Sequence, residues 1–150
     1  MRAFIPFEIT DAMLISSTLD EPSATEPEYS PSTPYNLSDE VSEIQENSHL
    51  VYKSLVNNNL GNALTDTTKW KLKGKTNRHR MFDYNQGNPS VGQSPMTVVL
   101  RPGKRIDAIA LDLKATELDI TVRNGVDGPV IYTMDGYLLE RNVTSWSEFF

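Results

Sequence analysis

The sequence predicts an all-β protein: an extended N-terminal arm, then a small β-module, then an antiparallel β-sandwich. Three observations carry this prediction. Short runs rich in β-branched and aromatic residues recur along the chain, separated by Asn, Gly and Asp-Gly turn signals. Within several of those runs apolar and polar residues alternate with the period of a strand. No segment sustains the apolar period of a long helix.

The arm is assigned to residues 1–33. It opens on the apolar stretch Phe4-Ile5-Pro6-Phe7, and Thr10-Asp11 can cap a short helical turn over Ala12 to Ile15, because their oxygens accept from free backbone amides. Ser16 to Pro34 is rich in Ser, Thr, Glu and Pro. Its prolines lack a donor and fix φ, so an extended linker is expected. The module is assigned to residues 34–73. His49 to Val56 is β-rich, and Asn57 to Asn62 is a turn cluster. Lys69 to Lys73 alternates, which sends Trp70 and Leu72 inward and the lysines to water.

The sandwich is assigned to residues 74–150. Met96, Val98 and Leu100 alternate, whereas Ile106 to Leu113 is apolar on both faces and is expected to be a central strand. Leu118, Ile120 and Val122 alternate with polar neighbours. Asn124-Gly125 and Asp127-Gly128 mark a hairpin turn, after which strands are expected over Val130 to Tyr132 and Tyr137 to Leu139, split by Asp135-Gly136. The chain closes on Trp146, Phe149 and Phe150, an aromatic end expected to be buried or partnered.

Bulk properties exclude several classes. The chain of 150 residues has a mean hydropathy of −0.42 and no apolar run near the roughly 20 residues of a membrane span. Its first residues lack the apolar core of a signal peptide. It has no cysteine, which removes disulfides, zinc-thiolate sites and cysteine nucleophiles, and fits assembly in a reducing cytoplasm. The net charge of −6 hides a gradient of −9, +5 and −2 over successive thirds. An acidic arm beside a basic middle can attract neighbouring copies or fold onto its own middle.

Catalytic patterns are weak. His49 and His79 are the only histidines, and no nucleophile-elbow motif accompanies them. Asp107, Asp112, Glu117 and Asp119 fit solvated strand faces better than a paired-carboxylate site, and no acidic loop has EF-hand spacing. No enzyme activity, metal or cofactor is expected. The basic run Lys69, Lys71, Lys73, Lys75, Arg78, His79 and Arg80, with Trp70 interleaved, could suit nucleic acid. The overall negative charge and the strand alternation instead favour a protective wet edge, or docking on acidic neighbours.

Tyr29, Tyr35, Ser38-Asp39, Val41, Val51-Tyr52, Asn59-Leu60-Gly61-Asn62 and Trp70 resemble the small carbohydrate-binding modules of the type 5/12 (chitin-binding type 3) class. The chain departs from that pattern in three places. Tyr29 stands where Trp is usual, Ser38 replaces Gly, and Ala63 sits where proline often closes the turn. The flanks, Ile9 to Ser17 and Gly74-Lys75-Thr76-Asn77-Arg78-His79-Arg80-Met81-Phe82-Asp83, resemble virion proteins of tailed bacteriophages, in which a similar module precedes a β-sandwich.

The resemblance implies a structural protein of the virion tail, assembled in the host cytoplasm. Its partners would be other virion proteins, among them copies of itself in a symmetric assembly. Phe4, Ile5, Phe7, Leu14, Lys71, Lys73, Lys75, Arg78, Arg80, Trp146, Phe149 and Phe150 are the candidate subunit contacts. An alternative is a host-glycan adhesin using Tyr29, Tyr35, Tyr52 and Trp70, of which Tyr29 is the expected exposed ring; a further one is a capsid-decorating protein.

Overall fold

The computed structural model describes residues 7–83, 85 and 87–137; the candidate contacts Phe4, Ile5, Trp146, Phe149 and Phe150 lie outside them. The protein is all-β with antiparallel sheets. Among the described residues the helical elements are two single turns of 3₁₀ helix, and no helix is long and apolar enough to cross a membrane. The chain divides into two units, Met1–Asp107 and Ala108–Phe150.

The first unit is built on a three-stranded meander of β2 (Glu40–Gln45), β3 (Ser48–Ser54) and β4 (Trp70–Lys75). Its register sets Val41 opposite Tyr52 and Ser54 opposite Trp70. Directly paired residues share a sheet face, so these four lie on one side. There Val41 and Trp70, which are fully buried, form the core with Tyr35 and Leu64, and Tyr29 and Tyr52 pack against it.

Leu72 shares that side but stays 54% exposed, contrary to the alternation that placed it inward. Tyr52 pairs with Leu72 while Val51 pairs with Gly74, so Lys73 is an extra residue in β4. Such a bulge bends its strand, and the aromatic cluster ends at Trp70.

The opposite face carries Ser42 and Val51, which are paired and fully buried, and His49. Its cover comes from the segment expected to be a linker. Tyr29 N donates to Ser42 O (2.9 Å), Ser42 N to Pro27 O (2.8 Å) and Ser42 Oγ to Glu26 O (3.0 Å), so residues 26–29 run along β2 as a short parallel addition. Prolines at 22, 27, 31 and 34 do not oppose this, because each contact is a single bridge and needs no unbroken ladder.

Further upstream β1 (Leu14–Ser17) pairs with β5 (Val98–Leu100), Leu14 facing Leu100. The 3₁₀ turn Asp11–Met13 precedes β1 without a side-chain cap from Thr10. The proposed boundaries at 33/34 and 73/74 therefore do not separate units: arm, module and β5 form one body.

The second unit holds a hairpin of β6 (Glu117–Arg123) and β7 (Val130–Tyr137). Asn124 N donates to Pro129 O across the turn, where Gly125 and Asp127 take positive φ, as the turn signals predicted. Two expectations change. Asp135-Gly136 lies within β7 rather than breaking it. Ile106 to Leu113 forms no strand, and Ile109 and Leu111 are about half exposed. A strand buried on both faces needs two neighbours and a covering layer, and the described residues 108–137 supply neither. Of the segment expected to form the sandwich, β5 pairs with β1 in the first unit, and the described residues of the second unit form a single two-stranded ribbon.

Candidate functional site

The four aromatic candidates converge, but on one another. Tyr29 stacks on Tyr35 with ring centroids 5.9 Å apart, and both meet Trp70 edge-on at 5.7 and 5.4 Å. Their polar ends are held by backbone. Tyr29 OH and Trp70 Nε1 both donate to Asn62 O (2.8 and 3.0 Å), and Tyr35 OH accepts from Ser30 N (2.8 Å).

Buried Asn59 fixes the turn that supplies this carbonyl. Its amide donates to Ser54 Oγ (3.0 Å) and Lys69 O (3.2 Å), its Oδ1 accepts from Asn62 (2.8 Å), and its backbone exchanges two hydrogen bonds with Tyr35. Tyr35 and Trp70 are thus withdrawn from solvent, and Tyr29 is half-buried in the cluster instead of lying out on a linker. Tyr52 is half-buried as well; burial first, and then the Glu43 carboxylate that its hydroxyl meets at 3.3 Å, push that hydroxyl above its ordinary pKa.

The basic candidates scatter. Lys71 is exposed, and Lys73 pairs with Glu40 at 2.7 Å on the surface. Lys75 is half-buried, and Arg78 has a buried Nε without a hydrogen-bond partner. Arg80 pairs with Glu26 inside the unit, both side chains nearly buried, and Glu26 also accepts from Asn77 N (2.9 Å). Phe7 lies under the Lys104 ammonium, 3.8 Å from its ring centroid. The acidic arm thus folds onto its own basic middle.

That fold-back assembles a constellation absent from the sequence-predicted sites. β3 presents His49, and the turn after β4 brings His79 back over it, so the imidazoles stack 18° from parallel with centroids 3.7 Å apart. Asp11 and Glu21 close the two edges of this stack. His49 Nε2 lies 2.8 Å and His79 Nε2 3.7 Å from Asp11 Oδ1. On the other edge His79 Nδ1 lies 3.3 Å from Glu21 Oε1, which Thr76 Oγ1 also contacts.

His49 Nδ1 is 3.0 Å from Glu21 Oε2 but out of line, so it counts as a close charge approach and leaves that nitrogen without a hydrogen bond. Both histidines are 8% exposed, and the Asp11 side chain 34%. Burial works to raise the Glu21 pKa, but hydrogen bonds from His79 and Thr76 and the imidazole charges outweigh it and bring it down to about 2. Asp11 is lowered as well: burial opposes the shift, and hydrogen bonds from Asn47 N and His49 prevail.

Thr76 is the hydroxyl nearest the imidazoles, and its oxygen is committed to Glu21 and His79. The cluster therefore offers no free nucleophile; what it can do is hold a proton or a cation. Sequence reasoning weighed the two histidines as catalytic groups and His79 also as part of the basic run, read Asp11 as a helix cap and placed Glu21 in a linker. The one available signal was that the chain's only two histidines flank the module's β-rich core. Comparison with protein-family models, with curated proteins and with solved structures finds no match for this chain.

Proposed function

We propose that this protein is a structural subunit of a bacteriophage tail, joined to copies of itself by the segment that follows its first unit. The observation that supports this reading is the β6–β7 hairpin. Val130, Ile131, Tyr132 and Met134 are 45, 64, 52 and 37% exposed, and Leu111 and Val126 beside them in sequence are more than half exposed. An isolated two-stranded ribbon is marginal in water. Among the described residues of its unit the ribbon has no covering layer, and large apolar side chains open to solvent are what another chain covers, by strand addition or face packing. Repetition of one subunit around an axis is the economical way to supply that layer.

Glycan binding through the aromatic cluster is less well supported, since two of its rings are buried and the polar ends of three are bonded to the chain's own backbone.

Antibody labelling of whole particles tests the assignment, with label along the tail as the expected result; label on the head, or particles lacking the protein, would overturn it. Sedimentation of the purified chain tests the contact. It should self-associate at micromolar concentration, and Ile131→Asp with Met134→Asp should return it to monomers.

A further inference from the structure

The imidazole–carboxylate cluster has too few protons for its contacts. A neutral imidazole carries one N–H, yet all four ring nitrogens approach carboxylate oxygens, His49 at 2.8 and 3.0 Å and His79 at 3.3 and 3.7 Å. Protonating both rings would supply four donors, but it would also stack two cations at 3.7 Å in a site largely closed to water.

The nitrogens sort by side. Both Nδ1 atoms face Glu21, and both Nε2 atoms face Asp11 Oδ1. In the stacked arrangement His49 Nε2 donates to Asp11 Oδ1 and its Nδ1 is unpaired. Moving that proton so that each Nδ1 carries one, directed at Glu21, would leave two Nε2 lone pairs and a carboxylate oxygen together on the opposite edge. Two imidazoles and a carboxylate, with an outer carboxylate orienting the rings, form a recurrent metal-ligand set.

We propose that Asp11, His49 and His79 bind one divalent first-row transition-metal ion of the zinc class, with Glu21 as the outer carboxylate that positions both imidazoles. The three ligand atoms lie within 4.8 Å of one another. The Asp11 Oδ1 to Nε2 distances, 2.8 and 3.7 Å, bracket the roughly 3.3 Å expected between tetrahedral ligands about 2.0–2.1 Å from zinc.

Binding requires the stack to open, because imidazole lone pairs lie in the ring planes and the rings are now 18° from parallel. The ion would draw the two Nε2 edges onto itself. His49 has a specific reason to turn, since its buried Nδ1 has no hydrogen bond in the stacked arrangement. The fourth position falls to water on the Asp11 side, which is the exposed side of the cluster. Nitrogen ligands select against calcium and magnesium, which prefer oxygen. The ion would clamp the arm, β3 and the turn after β4 together, so its role is structural.

The test uses the untagged full chain, whose two histidines are its only imidazoles. After stripping with chelator, calorimetric titration should show one Zn²⁺ per chain. Co²⁺ should give the intense visible absorption of a tetrahedral site, and saturating Zn²⁺ should raise Tm by about 5–10 °C. Mg²⁺ should do none of this.

Asp11→Asn keeps a polar side chain at a part-exposed position, and it should weaken Zn²⁺ binding about tenfold or more while the fold is retained. The double variant His49→Gln/His79→Gln should abolish the binding. Absence of Zn²⁺ uptake by the parent chain would overturn the site, as would unchanged affinity in Asp11→Asn. Should the histidine variant fail to fold, Asp11→Asn and the Co²⁺ spectrum decide.

Discussion

Replacing Tyr29 separates a core ring from a sugar-presenting one. In the structure Tyr29 makes two aromatic contacts, with Tyr35 and Trp70, and one hydrogen bond, to Asn62 O. Each aromatic pair contributes about 0.5–1.5 kcal/mol beyond area burial, and the hydrogen bond about 0.5–1.5 kcal/mol. Tyr29→Ala should therefore destabilise the first unit by about 3 kcal/mol, and Tyr29→Phe, which loses only the hydroxyl, by about 1 kcal/mol.

Urea unfolding followed by tryptophan fluorescence measures this. A Trp146→Phe background leaves Trp70 as the sole reporter. With m of about 1–3 kcal/mol/M, the midpoint for Tyr29→Ala should fall by about 1–3 M at unchanged m. An exposed ring would instead leave stability within about 0.5 kcal/mol of the parent. Finding Tyr29→Ala in that range would refute the packing argument and return Tyr29 to the surface.

Two further expectations concern pH and backbone strain. The Glu21 carboxyl is depressed from 4.5 to about 2 on folding, so its stabilising contribution is full above about pH 4.5 and is lost as pH falls toward 2. In chelator, acid titration of stability should show a loss on the order of 3 kcal/mol across that window, and Glu21→Gln should flatten it; an equal slope in the variant would show that other carboxylates carry it. Ser38 holds a left-handed φ of 78°, a conformation that costs a non-glycine residue about 1–2 kcal/mol. Ser38→Gly should therefore raise stability by about 0.5 kcal/mol after glycine's entropic cost of about 0.5–1 kcal/mol, seen as a Tm increase of about 1–3 °C; a lower Tm would mean that the serine makes a compensating interaction.

What the sequence made legible was local. The β3 run, the turn around Asn59 to Gly61, the inward Trp70 and the β6–β7 hairpin with its Asn124-Gly125 turn all follow from period-two alternation and turn chemistry, which neighbouring residues carry among themselves. The all-β class followed from the same signals.

The arm's fold-back was not legible. Glu26 finds Arg80, and Asp11 and Glu21 find His49 and His79, across tens of residues of chain, and nothing local in an acidic, proline-rich stretch names those partners. Ile106 to Leu113 misled for the converse reason. Its apolarity specifies a wish for burial, and the described residues 108–137 do not provide it. The candidate site fell wholly on the illegible side, because it exists only where three distant segments meet.

The parallel addition of residues 26–29 to β2 has a consequence for how this piece of protein could be moved. Excised as residues 34–73, the meander would keep β2 and β3 but cut β4 before Gly74 and Lys75, and would lose Tyr29 from one face and the cover of Ser42 and Val51 from the other. It is not a cassette that recombination or an engineer can transplant by itself; any graft has to carry the upstream wrap with it.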